Sequence, residues 1–412
     1  MKKKFVAALA VGMLTGAGAN VGLAAQDAEI DQIKQRINQL DYENQQLIKR
    51  LSEIDREMRS GENEAAEPEA EEEEGVSLGD YLTISGAVEV EFTAGDDFEG
   101  ESSNSVDLAT ADFGLEAAVT GWASGTMAIT WNGDDDKFEL DEAFITIANP
   151  DVSPLSFQAG RFVVPFGAFE TNTLSDPLTK EIFETKEDNV MLGFEAGGFQ
   201  AGFYVFNGDT NEGGGSESIE HFGLNAGYAY ESDAVSFGFG IGYINSAIDS
   251  DGLTELMEGE AEEIEAGVYS ADENSSLLNA DYASGLAVNA NAAFGPVVLI
   301  GEYVTLLEDY EMDFVFEGMP GHYAAKYSAW QLEAAYILEI GEHETVFALN
   351  YSSSDDLGGA FPESRLAAAV TVGLMEGLSL GGEYCHDEDY SVEEEGTDES
   401  ADLFTLRLAY EF

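Results

Sequence analysis

From Asp80 onward, apolar and polar residues alternate with a period of two in one segment after another. Leu82, Ile84, Val88, Val90 and Phe92 share one side of the first segment, and Leu115, Ala117 and Val119 one side of the second. The same spacing recurs at Val235, Phe237, Phe239, Ile241 and Tyr243, and again at Leu286, Val288, Ala290, Ala292 and Phe294. Trp330, Leu332, Ala334, Tyr336 and Leu338 repeat it. In the last ten residues Phe404, Leu406, Leu408, Tyr410 and Phe412 alternate with Leu403, Thr405, Arg407, Ala409 and Glu411. Such a period marks strands whose two faces meet different surroundings.

Sixteen such segments can be counted, each near the length of about ten residues that crosses a bilayer at a tilt. The links between them alternate in length. Tight turns are expected at Thr120-Gly121, Gly197-Gly198, Glu231-Ser232-Asp233, Gly295-Pro296, Gly341-Glu342 and Met375-Glu376-Gly377, with Asn149 to Pro154 slightly longer. Long polar loops are expected at Ala94–Ser105, Asn132–Lys137, Val163–Asp188, Asn207–Ser218, Ser246–Ser276, Glu308–Lys326, Ser352–Ser364 and His386–Ser400. Short turns at one end and long loops at the other predict an all-β transmembrane barrel of about sixteen antiparallel strands. The closing strand at Phe412 should then pair with Tyr81–Phe92 and remove the last sheet edges.

Ahead of the strands the pattern has period seven. Ile30, Ile37, Asn44, Leu51 and Met58 hold one position, and Ile33, Leu40, Leu47 and Ile54 the other. This predicts an α-helical coiled coil over residues 27–60, with Asn44 as the polar break that fixes register. A single amphipathic helix on the barrel rim is the alternative. Residues 61–78 are acidic, carry Pro68 and lack apolar periodicity, so they read as a solvated linker before a barrel over 79–412. Lys2, Lys3 and Lys4, the apolar run Phe5 to Leu14 and the small residues up to Ala25 read as a signal peptide over 1–25. The coiled coil would then lie in the periplasm.

Composition narrows the reading. Sixteen Lys plus Arg stand against 82 acids among 412 residues, a formal charge of −66. Such a surface repels nucleic acid and needs counterions. The lone Cys385 excludes an intramolecular disulfide framework. No nucleophile elbow, phosphate loop or zinc helix motif occurs, so no enzyme, cofactor or metal site is expected. His221, His322, His343 and His386 sit apart. The run Cys385-His386-Asp387-Glu388-Asp389 mixes soft and hard ligands at consecutive positions and reads as a loop entry. Asp249-Ser250-Asp251-Gly252 places its glycine wrongly for an EF-hand.

From Val76 on, the chain has only seven bases, and Arg161, Lys180 and Lys186 lie close together around the loop after the fifth strand. That loop also holds Pro165, Pro177, Phe162, Phe166, Phe169 and Phe183, too apolar to stand in solvent. Folded inward, it would narrow a pore. Arg161, Lys180 and Lys186 would face Glu170, Asp176, Glu181 and Glu184 across the constriction. The plainer alternative is that these bases pair with the loop's acids and hold its shape.

The stretch Ala159 to Thr210, with its Pro-Phe-Gly, Phe-Glu-Thr-Asn and Ser-Asp-Pro-Leu run, resembles the siderophore porin family of Gram-negative outer membranes, a legiobactin-receptor-like group within the porin superfamily. Ile84–Phe92, Asp141–Ile147 and Gly242–Leu253 extend the likeness, as does the coiled-coil-plus-barrel layout. The resemblance implies TonB-independent uptake of a ferric siderophore through a porin-like barrel in the outer membrane. A general or phosphate-selective diffusion porin is the close competitor, and a tether between outer membrane and cell wall the structural one. The charge of the strand region would repel anionic chelates at long range, unless divalent cations and lipopolysaccharide neutralise the outer loops. Expected partners are small solutes, outer-membrane lipid and two further copies in a homotrimer.

Overall fold

The computed structural model of the protein describes residues 81–412 apart from 119, 133–136, 209–218, 233, 255–281, 317–318 and 359; side chains at 132 and 311–323 are also outside it. The expected signal peptide, coiled coil and linker therefore lie outside the described residues.

The period-two segments form strands. In chain order they are β1 (Leu82–Asp96), β2 (Ser102–Ala117), β3 (Ala123–Asn132), β4 (Lys137–Ala148), β5 (Leu155–Val163), β6 (Lys186–Ala196), β7 (Phe199–Phe206), β8 (His221–Glu231), β9 (Val235–Ile244), β10 (Gly285–Phe294) and β11 (Val297–Leu306). A small hairpin follows, β12 (Tyr310–Phe316) and β13 (Met319–Ala325). The remainder are β14 (Ser328–Ile340), β15 (His343–Asp355), β16 (Ser364–Met375), β17 (Leu378–Glu388) and β18 (Ser400–Glu411).

All but β12 and β13 close into one sixteen-stranded antiparallel barrel. The seam joins β1 to β18 from Ala87↔Glu411 to Asp96↔Asp402. Phe412 completes it: its N–H donates to the Gly86 carbonyl, and the Gly86 N–H donates to the Phe412 carbonyl, both at 3.1 Å. The seam thus covers Gly86–Asp96, several residues beyond the Tyr81–Phe92 stretch expected. A closed ladder leaves no edge at the seam, the condition for strands to cross a hydrocarbon layer.

Alternation fixes which face is which. On β18, Phe404, Leu406, Leu408, Tyr410 and Phe412 are exposed, while Thr405 and Ala409 are buried. On β14, Leu332 and Tyr336 are exposed beside buried Gln331, Glu333 and Ala335. An exposed apolar surface around a polar interior inverts the soluble pattern and is what lipid demands. No helix among the described residues is long and apolar enough to cross a membrane; the strands do the crossing.

The links depart from expectation at two places. Ala94–Ser105 is mostly strand, because β1 and β2 pair as far as Asp96↔Ser102. Asp97 caps the remaining tip by accepting the N–H groups of Glu99 (3.1 Å) and Glu101 (2.8 Å). Glu308–Lys326 is not a plain loop but carries the β12–β13 hairpin.

The larger of two apolar clusters among the described residues lies inside the barrel, toward the long-loop end. It joins Phe166, Phe169, Leu178, Ile182 and Phe183 of the loop after β5 to Ile248 and Leu253 of the loop after β9, and to Tyr204, Phe206, Val304 and Leu306 of the wall.

Leu406 pairs outward with Phe92 and Gly382 midway along β18. A charge there would face hydrocarbon. Leu406→Arg is expected to lower folding stability by about 2–4 kcal/mol, read as a shift of the urea midpoint for barrels refolded into lipid vesicles.

Candidate functional site

The loop after β5 turns into the barrel at Val164 and is fastened to the wall by carboxylates. The N–H groups of Ala168 (2.7 Å) and Phe169 (2.9 Å) donate to the two oxygens of Glu302 on β11. The Asn172 N–H donates to Glu333 on β14 at 2.9 Å, its side-chain amide at 2.7 Å, and the Thr171 hydroxyl at 2.6 Å. The N–H groups of Leu174 (2.6 Å) and Ser175 (2.9 Å) donate to Glu383 on β17. These three glutamates are 5%, 4% and 3% exposed. A carboxylate buried to that degree is tolerable only when its oxygens are hydrogen-bonded, and the loop backbone supplies the donors.

Backbone conformation serves the same end. Phe169 has φ 53°, the left-handed region that a bulky residue rarely adopts. Its own N–H is the second of the pair that converges on Glu302, a nest-like arrangement for an anion. Two wall glycines let the loop approach. A Cβ at Gly242 on β9 would lie 1.9 Å from the Phe166 carbonyl oxygen, and one at Gly381 on β17 would lie 2.7 Å from the Leu174 side chain.

Past Pro177 the loop forms a short helix, α1 (Leu178–Phe183), whose Leu178, Thr179, Ile182 and Phe183 are buried. Its polar side faces charged partners. Lys180 pairs with Asp176 one turn earlier, Nζ to Oδ2 at 3.0 Å. Glu181 accepts from Arg365 on β16, which also grips Asp387 on β17 with Nε and Nη2, each at 2.9 Å. Arg365 further donates to the Asp176 carbonyl at 3.1 Å. Lys186 pairs with Asp141 on β4. Burial pushes the Glu184 carboxyl above its ordinary value, with Lys180 and Lys186 pulling part of the way back. Glu181 is raised for the same reason, against the pull of Arg365. Glu170 accepts from Asn291 on β10 at 2.9 Å, and its carbonyl from Gln331 on β14 at 3.2 Å.

Six of the seven residues singled out from sequence thus lie on or beside the inward loop. Arg161 does not. Phe162 is buried toward the interior, so alternation turns Arg161 outward, exposed and in register with Ala143 and Asp188. The expected loop began at Val163, and β5 runs to that point, so strand parity governs Arg161. Sequence reasoning missed Glu302, Glu333, Glu383, Arg365 and Arg407. Their signal was a charged residue at the inward position of an otherwise apolar strand.

Arg407 on β18 marks where the loop stops. Its Nη2 donates to the Leu174 carbonyl at 3.0 Å, and its other nitrogens face Glu91 and, at 3.5 Å, Glu89 on β1. Beyond it, β2 and β3 take no hydrogen bond from the loop among the described residues. Their inward groups bond to one another: Thr110 donates to Glu89 at 3.1 Å and Thr130 donates to Asp112. Glu89, Glu91 and Asp112 stay half-buried.

The arrangement is a closed wall with an apolar exterior and a loop folded inward. The fold matches an anion-selective porin from Comamonas acidovorans (TM-score 0.53, 13% identity, 80% of this chain and 99% of that one). It matches the outer-membrane channel DcaP of Acinetobacter baumannii equally well (TM-score 0.53, 14% identity, 80% and 97%). OprB of Pseudomonas putida also scores 0.53, at 12% identity over 81% and 95%. At such identities the likeness is one of fold. No protein-family model matches the chain. In sequence it is 26% identical over 319 residues to a UPF0422 protein of Coxiella burnetii, covering 75% of this chain and 65% of that protein. It is 23% identical over 327 residues to UPF0422 protein lpl2888 of Legionella pneumophila strain Lens, covering 76% and 60%. The chain therefore spans less than two thirds of the length of these relatives. The likeness reaches the porin fold and not the siderophore porins as a family.

Glu383→Ala removes the acceptor for the Leu174 and Ser175 N–H groups. Each bond to a charged group contributes about 1.5–3 kcal/mol. Amide exchange followed by mass spectrometry should show the 168–176 segment exchanging at least about tenfold faster in the variant, with the strands unchanged.

Proposed function

We propose that this chain is an outer-membrane channel that passes small water-soluble solutes and favours cations. The observation that carries the reading is the acid stripe of Glu89, Glu91 and Asp112 on the wall the loop leaves uncovered, with Arg407 bonded to two of them. Fixed carboxylates along a low-dielectric passage raise the local concentration of cations and repel anions. Lys180 and Lys186 are each held against a carboxylate, Asp176 and Asp141, so these pairs leave the charge of the acid stripe uncancelled. The porin fold and the lipid-facing exterior support the location.

Uptake of a ferric siderophore without energy coupling is the second reading. It is favoured by where the sequence resemblance falls: Ala159 to Thr210 contains the whole inward loop. In its Phe-Glu-Thr-Asn run, however, the Phe169 N–H is taken by Glu302, the Thr171 hydroxyl and Asn172 by Glu333, and the Glu170 carboxylate by Asn291. The motif therefore accounts for loop placement before it accounts for a ligand. Growth of a deletion strain on low iron with added siderophore tests this reading. Undiminished uptake rejects it and leaves the channel reading standing.

Reversal potentials in planar bilayers under a potassium chloride gradient test the main reading. Wild-type protein should give the sign of cation preference, and Glu89→Gln, Glu91→Gln and Asp112→Asn together should reduce it. An anion preference in the wild type overturns the proposal.

The raised carboxyls of Glu181 and Glu184 add a pH dependence. A folded-state pKa above the ordinary 4.5 means these groups take up protons at a higher pH than a free glutamate. As pH falls, negative charge at the loop is lost there first. Cation preference should therefore decline at a higher pH in the wild-type protein than in Glu184→Gln, read as reversal potential against bath pH.

A further inference from the structure

The wall opposite the acid stripe has a different chemistry. In a ring of sixteen strands β9 stands eight places from β1, diametrically across the lumen. Between the ends of β7, β8, β9 and β10 no Asp, Glu, Lys or Arg takes an inward position. The inward side chains are amides instead, Gln200, Asn225, Asn289 and Asn291, all half-buried. In a chain with 82 acids, an uncharged stripe four strands wide stands apart from its surroundings.

The amides share a construction. Each lies opposite a glycine of the neighbouring strand: Gln200↔Gly227, Asn225↔Gly202, Asn289↔Gly240 and Asn291↔Gly238. A Cβ on any of those glycines would come within 2.2–2.9 Å of the facing amide. The glycines therefore let the amides lie flat along the wall, where they present both donors and acceptors sideways to the lumen. Asn291 is held by Glu170 of the loop at 2.9 Å, so the stripe runs to the edge of the constriction. Asn289 has no side-chain hydrogen-bond partner among the described residues and is only half-buried. A polar group left without a partner is one that a solute can satisfy.

We propose that the lumen is two-sided and selects small solutes that carry an amine at one side and uncharged hydroxyl or amide groups at the other. The ammonium lies toward Glu89, Glu91 and Asp112, and the neutral hydrogen-bonding part travels along Gln200, Asn289 and Asn291. An amino sugar has this chemistry. A carboxylated sugar of the same size meets repulsion on the acid side and gains nothing on the amide side. The inference rests on the channel reading and names its cargo class.

Liposome swelling with glucosamine, glucose and glucuronate, three solutes of one size, tests it with full-length protein. Influx should rank glucosamine first and glucuronate last. Asn289→Leu, close in volume, should lower the influx of glucosamine and glucose relative to potassium conductance in the same liposomes, by about fivefold, the factor one ordinary hydrogen bond carries. Asp112→Asn should instead shrink the advantage of glucosamine over glucose. Sugar influx and potassium conductance falling in parallel in Asn289→Leu would mean mere narrowing and would overturn the amide role. So would equal influx of all three solutes in the wild type. Absence of swelling and of conductance with every solute overturns the channel reading itself.

Discussion

Three inward glutamates hold the interior of this barrel in place. Glu302, Glu333 and Glu383 stand on β11, β14 and β17, and each accepts backbone N–H groups from the loop after β5. A loop drawn into a membrane barrel must satisfy its backbone groups away from bulk water. Carboxylates pointing inward must be satisfied as well. Each requirement meets the other here, so neither the loop nor the acids are stable in these positions alone. The apolar side of α1, the close approach at Gly242 and the pairing of Arg365 with Glu181 all presuppose that fastening.

This arrangement changes the meaning of the acidic composition. Much of the charge on the strands is not free to act on solutes, because it is spent on the loop backbone or on Arg365 and Arg407. What remains for solutes is unevenly distributed around the ring. The loop covers β10 to β17; on the uncovered wall Asp112 of β2 has no ion pair among the described residues, and Glu89 and Glu91 of β1 share the single Arg407. Selectivity in such a passage depends on which wall a solute faces more than on the total charge of the molecule.

The strands and their closure were legible in the sequence because a lipid exterior enforces strict alternation. The final segment from Leu403 to Phe412 is the plainest instance, and its pairing with β1 follows. The inward course of the loop was legible from its phenylalanines and prolines. The fastening was not, because the partners of Ala168, Asn172 and Leu174 lie on strands far away in sequence, and spacing carries no information about them. Arg161 shows the converse error. Proximity in sequence grouped it with Lys180 of the inward helix, but a strand separates neighbours to opposite faces, and it stands on the outside.

The distance in sequence between the loop and its fastenings has a consequence for how the molecule forms. Leu174 and Glu383 are 209 residues apart, and Arg407 lies 233 residues beyond Leu174. The loop cannot reach its final course until nearly the last strand of the chain is in place. Contacts of such high order form late and slowly. Until then the Leu174–Ser175 end of the loop lacks its acceptor on Glu383, so the sheet's completion and the last fastening of the loop coincide in time. A barrel interrupted before β17 would be an open sheet with one end of the inward loop unfastened, the kind of species that a quality-control protease or chaperone can tell from the finished protein.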